Sequence, residues 1–243
     1  MKLHVLPDRT DSAAGNMAAD FLLLRRYPEV AVRFRHYGWH RPACTFGYSQ
    51  KIALVRGQLP ALAGLGAGES AEQPLELCRR PTGGGVVDHR EDWTYALVIP
   101  RGHPTEELRA VESYRLVHAA LAAALRRQGT AAMLQPAETE PAAATGVCFQ
   151  RAEPHDVIHA ASREKIAGAA QKRNKHGLLF QGSIWRPAVR ATVDWAEFRE
   201  DFVRELAAAL HVEPEAMAWP DFAEHELEGL TEQYAAPEWT EAR

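Results

Sequence analysis

From Glu106 onward, apolar or aromatic residues at Leu108, Val111, Tyr114, Val117, Leu121 and Leu125 recur every three or four positions, and the run stops at Gln128-Gly129. That period lays one apolar stripe along a helix, and the glycine suits its C-terminus. A one-sided helix must bury its stripe against another element, so the rest of the chain has to supply one. A second helix follows from Trp195, Phe198, Phe202, Leu206 and Leu210. Strands are predicted where apolar and basic residues alternate over 30–37, in the short segment 43–48, and in the apolar segments 165–170 and 177–185, the last two joined by a basic turn at Lys172-Arg173-Asn174-Lys175. The turn Gly38-Trp39-His40-Arg41-Pro42 is expected to end the first strand. Residues 57–73 read as loop and weak helix, 131–144 as an exposed connection, and the tail from Glu213 as acidic and punctuated by proline. With no internal repeat and no convincing linker, the expectation is one α+β domain over 1–243, its core at 16–210 and its acidic tail at 213–243.

The charge balance limits the partners. The 28 Lys and Arg stand against 32 Asp and Glu, a formal charge of −4, so no global basic field exists to hold nucleic acid or an anionic membrane. Any anion must be bound locally. Three widely spaced cysteines, Cys44, Cys78 and Cys148, give no metal-ligand spacing and no disulfide framework, so reduced thiols and a cytoplasmic location are expected. No stretch reaches the length of a membrane span and the start lacks a signal-peptide core.

Two segments carry chemistry. Cys78-Arg79-Arg80-Pro81-Thr82-Gly83-Gly84-Gly85-Val86-Val87-Asp88-His89 puts three glycines between paired arginines and a histidine. Such a run either makes a tight turn between strands or exposes several backbone N–H groups as an anion nest, to which the arginines would add charge-assisted hydrogen bonds. It fits neither the P-loop nor the dinucleotide pattern. The second segment, between Arg151 and Lys175, is locally basic, and within it Lys165 stands before a run of small residues that lets the backbone approach a ligand closely.

Together these segments resemble the lipoate-protein ligase and octanoyltransferase family, relatives of the biotin-protein ligases. Arg79 to His89 looks like the family's arginine and glycine acyl-binding loop, Glu164-Lys165-Ile166-Ala167-Gly168-Ala169-Ala170-Gln171 like its lysine motif, and Gly177 to Ile184 like the strand that follows. Asn16 to Asp20 fits the preceding helix and Arg33 to Gln50 the N-terminal strand pair. The resemblance implies a mixed sheet flanked by helices around an acyl tunnel, with the Lys165 ammonium on the acyl carbonyl. It implies further that Arg79, Arg80, Gly83, Gly84, Gly85, His89, Gly168, Ala169, Gln181 and Gly182 line an acyl or adenylate site.

Within the family, Cys148 in Gly146-Val147-Cys148-Phe149 looks like the nucleophile of the cysteine-dependent octanoyltransferases. Passing an acyl group from carrier thioester to enzyme thioester is nearly balanced, and the step to an amine is irreversible. The expected activity is therefore transfer of an octanoyl or lipoyl group from acyl carrier protein to the lysine of a lipoyl domain or glycine cleavage H protein, with no cofactor or metal. The alternatives are a ligase consuming ATP, Mg²⁺ and free lipoate through an adenylate, and a non-catalytic protein that binds lipoyl domains. Acidic partners would dock on Arg151, Lys172, Arg173 and Lys175. One departure stands out: Gln181-Gly182 replaces the His-Gly of many members, which leaves the proton acceptor for the incoming lysine without an assigned residue, His89 and His176 being candidates. His155 with Asp156 is a candidate partner for Cys148 by composition.

Overall fold

A computed structural model describes residues 1–63, 75–137, 151–223 and 225–242, with the side chains of 60–63 excepted. In chain order the elements are β1 (Lys2–Val5), β2 (Arg9–Asp11), α1 (Ala13–Arg25), β3 (Val32–Trp39), β4 (Ala43–Phe46), α2 (Ile52–Ala63), β5 (Glu76–Arg79), β6 (Val87–Asp88), β7 (Asp92–Pro100) and α3 (Pro104–Glu107). They continue with α4 (Ala110–Arg127), β8 (Ala132–Leu134), β9 (Val157–His159), β10 (Lys165–Asn174), β11 (Gly177–Trp185), α5 (Trp195–Leu210), β12 (Glu213–Ala216), α6 (Glu226–Ala235) and α7 (Pro237–Thr240).

The two predicted helices are α4 and α5, and they do what their stripes require. Val117, Leu121 and Leu125 of α4 and Phe198, Phe202 and Leu206 of α5 share one core with Phe34, Trp93, Tyr95, Leu97 and Phe180 of the sheet beneath. Helix α5 begins where expected, Asp194 capping it by accepting from the N–H groups of Ala196 and Glu197. Helix α4 starts four residues later than its pattern, because α3 takes the first turn and Arg109 caps the second; Val111 is left exposed.

The described residues build a nine-stranded mixed sheet in the order β12-β1-β3-β7-β11-β10-β9-β8, with β2 also paired to β3. The middle of this sheet is antiparallel: β7 runs against both β3 and β11, and β11 against β10. A second sheet, β5-β4-β6, stands beside it. Between the two lies α1, buried from Ala13 to Asp20 on every side. Its small residues make that possible: Ala13, Ala14 and Ala18, with Met17, pack with Ala43, Cys78 and Tyr234, while Leu23 and Leu24 meet Tyr37, Val98 and Leu179 of the large sheet.

Several expectations need correction. Strand β3 starts at Val32 and runs through Gly38-Trp39, so the turn is only His40-Arg41-Pro42. It is buried on both faces; Arg35 is accommodated because its guanidinium reaches Asp20 at 2.7 Å and the Asn16 carbonyl at 2.7 Å. Strand β10 runs on through Lys172-Arg173-Asn174, leaving Lys175-His176 as the turn. The loop expected at 57–73 begins as helix α2, and residues 64–74 lie outside the described residues. The connection at 131–144 contains β8, and 138–144 lie outside the described residues. The tail is built into the fold: β12 pairs with β1, and α6 covers α1 through Leu227, Leu230 and Tyr234. No helix among the described residues is long and apolar enough to cross a membrane.

Candidate active site

Where the small sheet and the glycine loop face β10 and β11, a cleft opens. Its wall brings together eight of the residues singled out from the sequence: Arg80, Gly84 and His89 on one side, Lys165, Gly168, Ala169, Gln181 and Gly182 on the other. Alternation along the strands sets this arrangement. Gly168 and Ala170 pair with Ser183 and Gln181, so these four present one face, while Ala169 and Gln171 turn toward α4.

Lys165 sits at a bulge, where the pairing of β10 with β9 shifts between Lys165 and Ala167. Its ammonium lies 2.7 Å from Asp156 Oδ2, both side chains buried. Asp156 is itself saturated: Tyr114 donates its hydroxyl to Oδ1 and the Glu153 N–H donates to Oδ2 at 2.7 Å. Burial and the Asp156 carboxylate push the Tyr114 phenol well above its ordinary value, so it remains a donor. Asp156 therefore partners Lys165. A Cβ on Gly168 would stand 2.8 Å from both Cε and Nζ of Lys165, so the absent side chain is what lets the ammonium lie across the strand.

The glycine loop is held from inside. Arg80 donates to the carbonyls of Gly83 (2.8 Å) and Gly85 (2.9 Å) and to Thr45 Oγ1 (2.8 Å), so it grips the loop that carries it. Gly84 takes φ +89, which favours glycine. Arg79 corrects the expectation more sharply. Its guanidinium points away from the cleft and donates to four carbonyls, of Tyr48, Gln50, Trp239 and Thr240, at 2.7–3.0 Å. It ties the end of α7 to the loop beside the glycines.

Gln181 bridges two elements, its Oε1 accepting from Thr82 Oγ1 and its Nε2 donating to Asp20 Oδ2, both at 2.7 Å. Asp20 was missed by sequence reading, where the only signal was a lone acid within an apolar helix, and Asp156, named there with His155, was not linked to Lys165. The basic run divides, since Arg173 donates to the Leu108 carbonyl at 2.8 Å on the α4 face while Lys172 Nζ lies 5.4 Å over the Tyr48 ring on the other. Cys148 lies outside the described residues. Burial pushes the Cys44 and Cys78 thiols up to about 12, which leaves both unreactive.

His118, one turn along α4 from Tyr114, donates Nδ1–H to the His155 carbonyl at 2.8 Å, and its Nε2 has no partner. Burial lowers its pKa to about 4. The unfolded chain binds the proton first, so stability is full above the ordinary histidine value and is lost as pH falls toward 4. His118→Gln, which keeps a donor for His155, should remove roughly 3 kcal/mol of that acid-induced loss. Urea midpoints measured from neutral pH down to about 4 check this, and identical pH slopes would refute it.

A mixed sheet with helices on both faces, a second small sheet, and a lysine-lined cleft between them define a lipoate-protein ligase-type catalytic fold. The chain belongs to the lipoyl protein ligase A/B catalytic domain family, whose model matches residues 12–187. It is 31% identical to the octanoyltransferase LipM of Anoxybacillus flavithermus over 71% of this chain and 61% of that protein. The chain thus spans about three fifths of the length of the curated relatives it matches. Among solved structures it is similar to protein Ta0514 of T. acidophilum with bound lipoic acid (TM-score 0.74, 19% identity, 100% of each chain). It is also similar to a bi-partite lipoate protein ligase of Thermoplasma acidophilum studied with its E2 lipoyl domain (TM-score 0.71, 18% identity, 99% of this chain and 96% of that one). At those identities the two structures show the fold alone.

Proposed function

We propose that the protein transfers an octanoyl or lipoyl group onto the lysine of a lipoyl domain or glycine cleavage H protein, through a thioester on Cys148. The observation that carries this reading is the Lys165 ammonium held 2.7 Å from Asp156 at the wall of the cleft. A fixed cation there polarises an acyl carbonyl and stabilises the oxyanion that forms when a nucleophile adds to it. The nucleophile is assigned to Cys148 by the resemblance of Gly146-Val147-Cys148-Phe149 to the cysteine-dependent octanoyltransferases. The relatives named octanoyltransferase support transfer over ligation, and so does Arg79, whose guanidinium is spent on carbonyls rather than offered to an adenylate.

Acyl carrier protein is the proposed donor, and the acidic character of such partners suits Lys172 at the glycine-loop side. Intact-mass analysis tests the reading. Incubation with octanoyl-acyl carrier protein and no ATP should leave an octanoyl adduct on the wild type and none on Cys148→Ala. Lipoylation that requires ATP, with no adduct from the carrier, would instead assign the ligase reaction, with ATP and Mg²⁺ as its co-reactants.

A further inference from the structure

Two carboxylates back the wall of the cleft, and they are faced differently. Asp20 is met by the Gln181 amide, a group that takes no proton. Asp92 is met by an imidazole: His89 Nδ1 lies 2.6 Å from its Oδ2, which also accepts from Thr94 Oγ1 at 2.8 Å and from Ser183. On the other side of the ring, Nε2 lies 2.7 Å from Thr45 Oγ1, and Thr45 Oγ1 accepts from Arg80 at 2.8 Å.

The hydrogens follow from this order. Asp92 accepts from the hydrogen on Nδ1, so in the neutral imidazole Nε2 has no hydrogen and the Thr45 hydroxyl, which accepts from Arg80, points its proton to it. The basic nitrogen therefore faces Thr45, itself in the wall of the cleft. Trp39 stacks on the ring at 4.1 Å and 25°, fixing its plane. Among the described residues His89 is the only imidazole in that wall. The charges around it are Asp92 from β7, Arg80 reached through Thr45, Lys165 across the cleft, and the flanking Asp88, which is paired with Arg90 at 2.6 Å. Lys165 is committed elsewhere, its Nζ lying 2.7 Å from Asp156 Oδ2.

We propose that His89, acting through Thr45 and backed by Asp92, accepts the proton that turns the incoming lysine from ammonium to amine. This deepens the transfer reading and rests on it. The lysine ammonium gives a proton to Thr45 Oγ1 as the Thr45 hydroxyl proton passes to His89 Nε2. The freed lone pair then forms the C–N bond to the thioester carbonyl carbon. As the C–S bond breaks, the leaving thiolate takes the second nitrogen proton, and the imidazolium returns its own to solvent. Asp92 holds the tautomer and stabilises the imidazolium.

The test separates deprotonation from every other role by changing the acceptor. Wild type and His89→Gln are acylated by octanoyl-acyl carrier protein, the adduct is weighed, and each acyl-enzyme is mixed with a lipoyl domain or with hydroxylamine, a nucleophile already uncharged at neutral pH. In His89→Gln, single-turnover transfer to the lysine should fall about 100-fold or more, and its rate should climb with pH until the acceptor titrates by itself. Transfer to hydroxylamine should fall by less than about fivefold, since it needs no proton acceptor. Thr45→Val, which cuts the relay and leaves the His89–Asp92 pair intact, should show the same dependence on acceptor. Equal losses with both acceptors, or an unchanged pH profile, would overturn the proposal. A wild type that takes no octanoyl group overturns the transfer reading itself, a result distinct from either.

Discussion

Lys165→Met should lower acyl transfer by about 10²- to 10³-fold, the loss expected when one group that stabilises an oxyanion is removed. The same change should destabilise the fold, because Asp156 is then a buried carboxylate with its cation gone. Breaking a buried pair from one side costs about 3–5 kcal/mol. Asp156 keeps the Tyr114 hydroxyl and the Glu153 N–H, so the cost falls toward the lower end of that range. The double variant Lys165→Met/Asp156→Asn should regain more than half of the lost stability and none of the activity. Urea unfolding of the four members of this cycle, with single-turnover transfer on each, separates the two roles. If Lys165→Met transfers acyl groups at more than about a tenth of the wild-type rate, the carbonyl role is wrong.

Gly168→Ala should leave the protein folded and nearly inactive. The new Cβ would meet Lys165 Cε and Nζ at 2.8 Å and Asp156 Oδ1 at 3.0 Å. Of the two side chains the lysine has the longer and more flexible stem, so the ammonium swings rather than the strand. A displacement of about 1 Å at a catalytic group costs on the order of 10²-fold. Stability should fall by less than it does in Lys165→Met, because the displaced ammonium stays close to Asp156. The expected pattern is thus a modest loss of stability with a collapsed kcat. Full activity in Gly168→Ala would mean that the lysine does not work from the position it occupies.

The elements that the sequence revealed are those with one wet face. Helices α4 and α5 were legible from their stripes because their outer surfaces are polar, and the hairpin of β10 and β11 because its turn is. Strand β7, the middle of the sheet, gave no such signal: Asp92 to Pro100 is buried at every residue, so it has no period of two to detect. Helix α1, buried nearly all round, has no stripe either, and only the family resemblance placed a helix at Asn16 to Asp20. For the site, the glycine loop and the lysine motif were legible as residue types at characteristic spacing. Their partners were not, because Asp156 and Asp92 acquire meaning only when β9 and β7 are placed beside the cleft. Arg79 shows the limit most plainly. It and Arg80 are neighbours in sequence and look equivalent there, yet successive side chains on a strand leave by opposite faces, so one lines the cleft and the other serves the tail.

That service has a consequence for where a usable fragment can be cut. The family match ends at residue 187, but two of the four acceptors of Arg79 belong to Trp239 and Thr240, and the side chain that shields Cys78 and Ala13 belongs to Tyr234. An expression clone trimmed to the matched span would strand a buried guanidinium and strip α1 of its cover. Homology therefore marks out less polypeptide than cooperative folding requires.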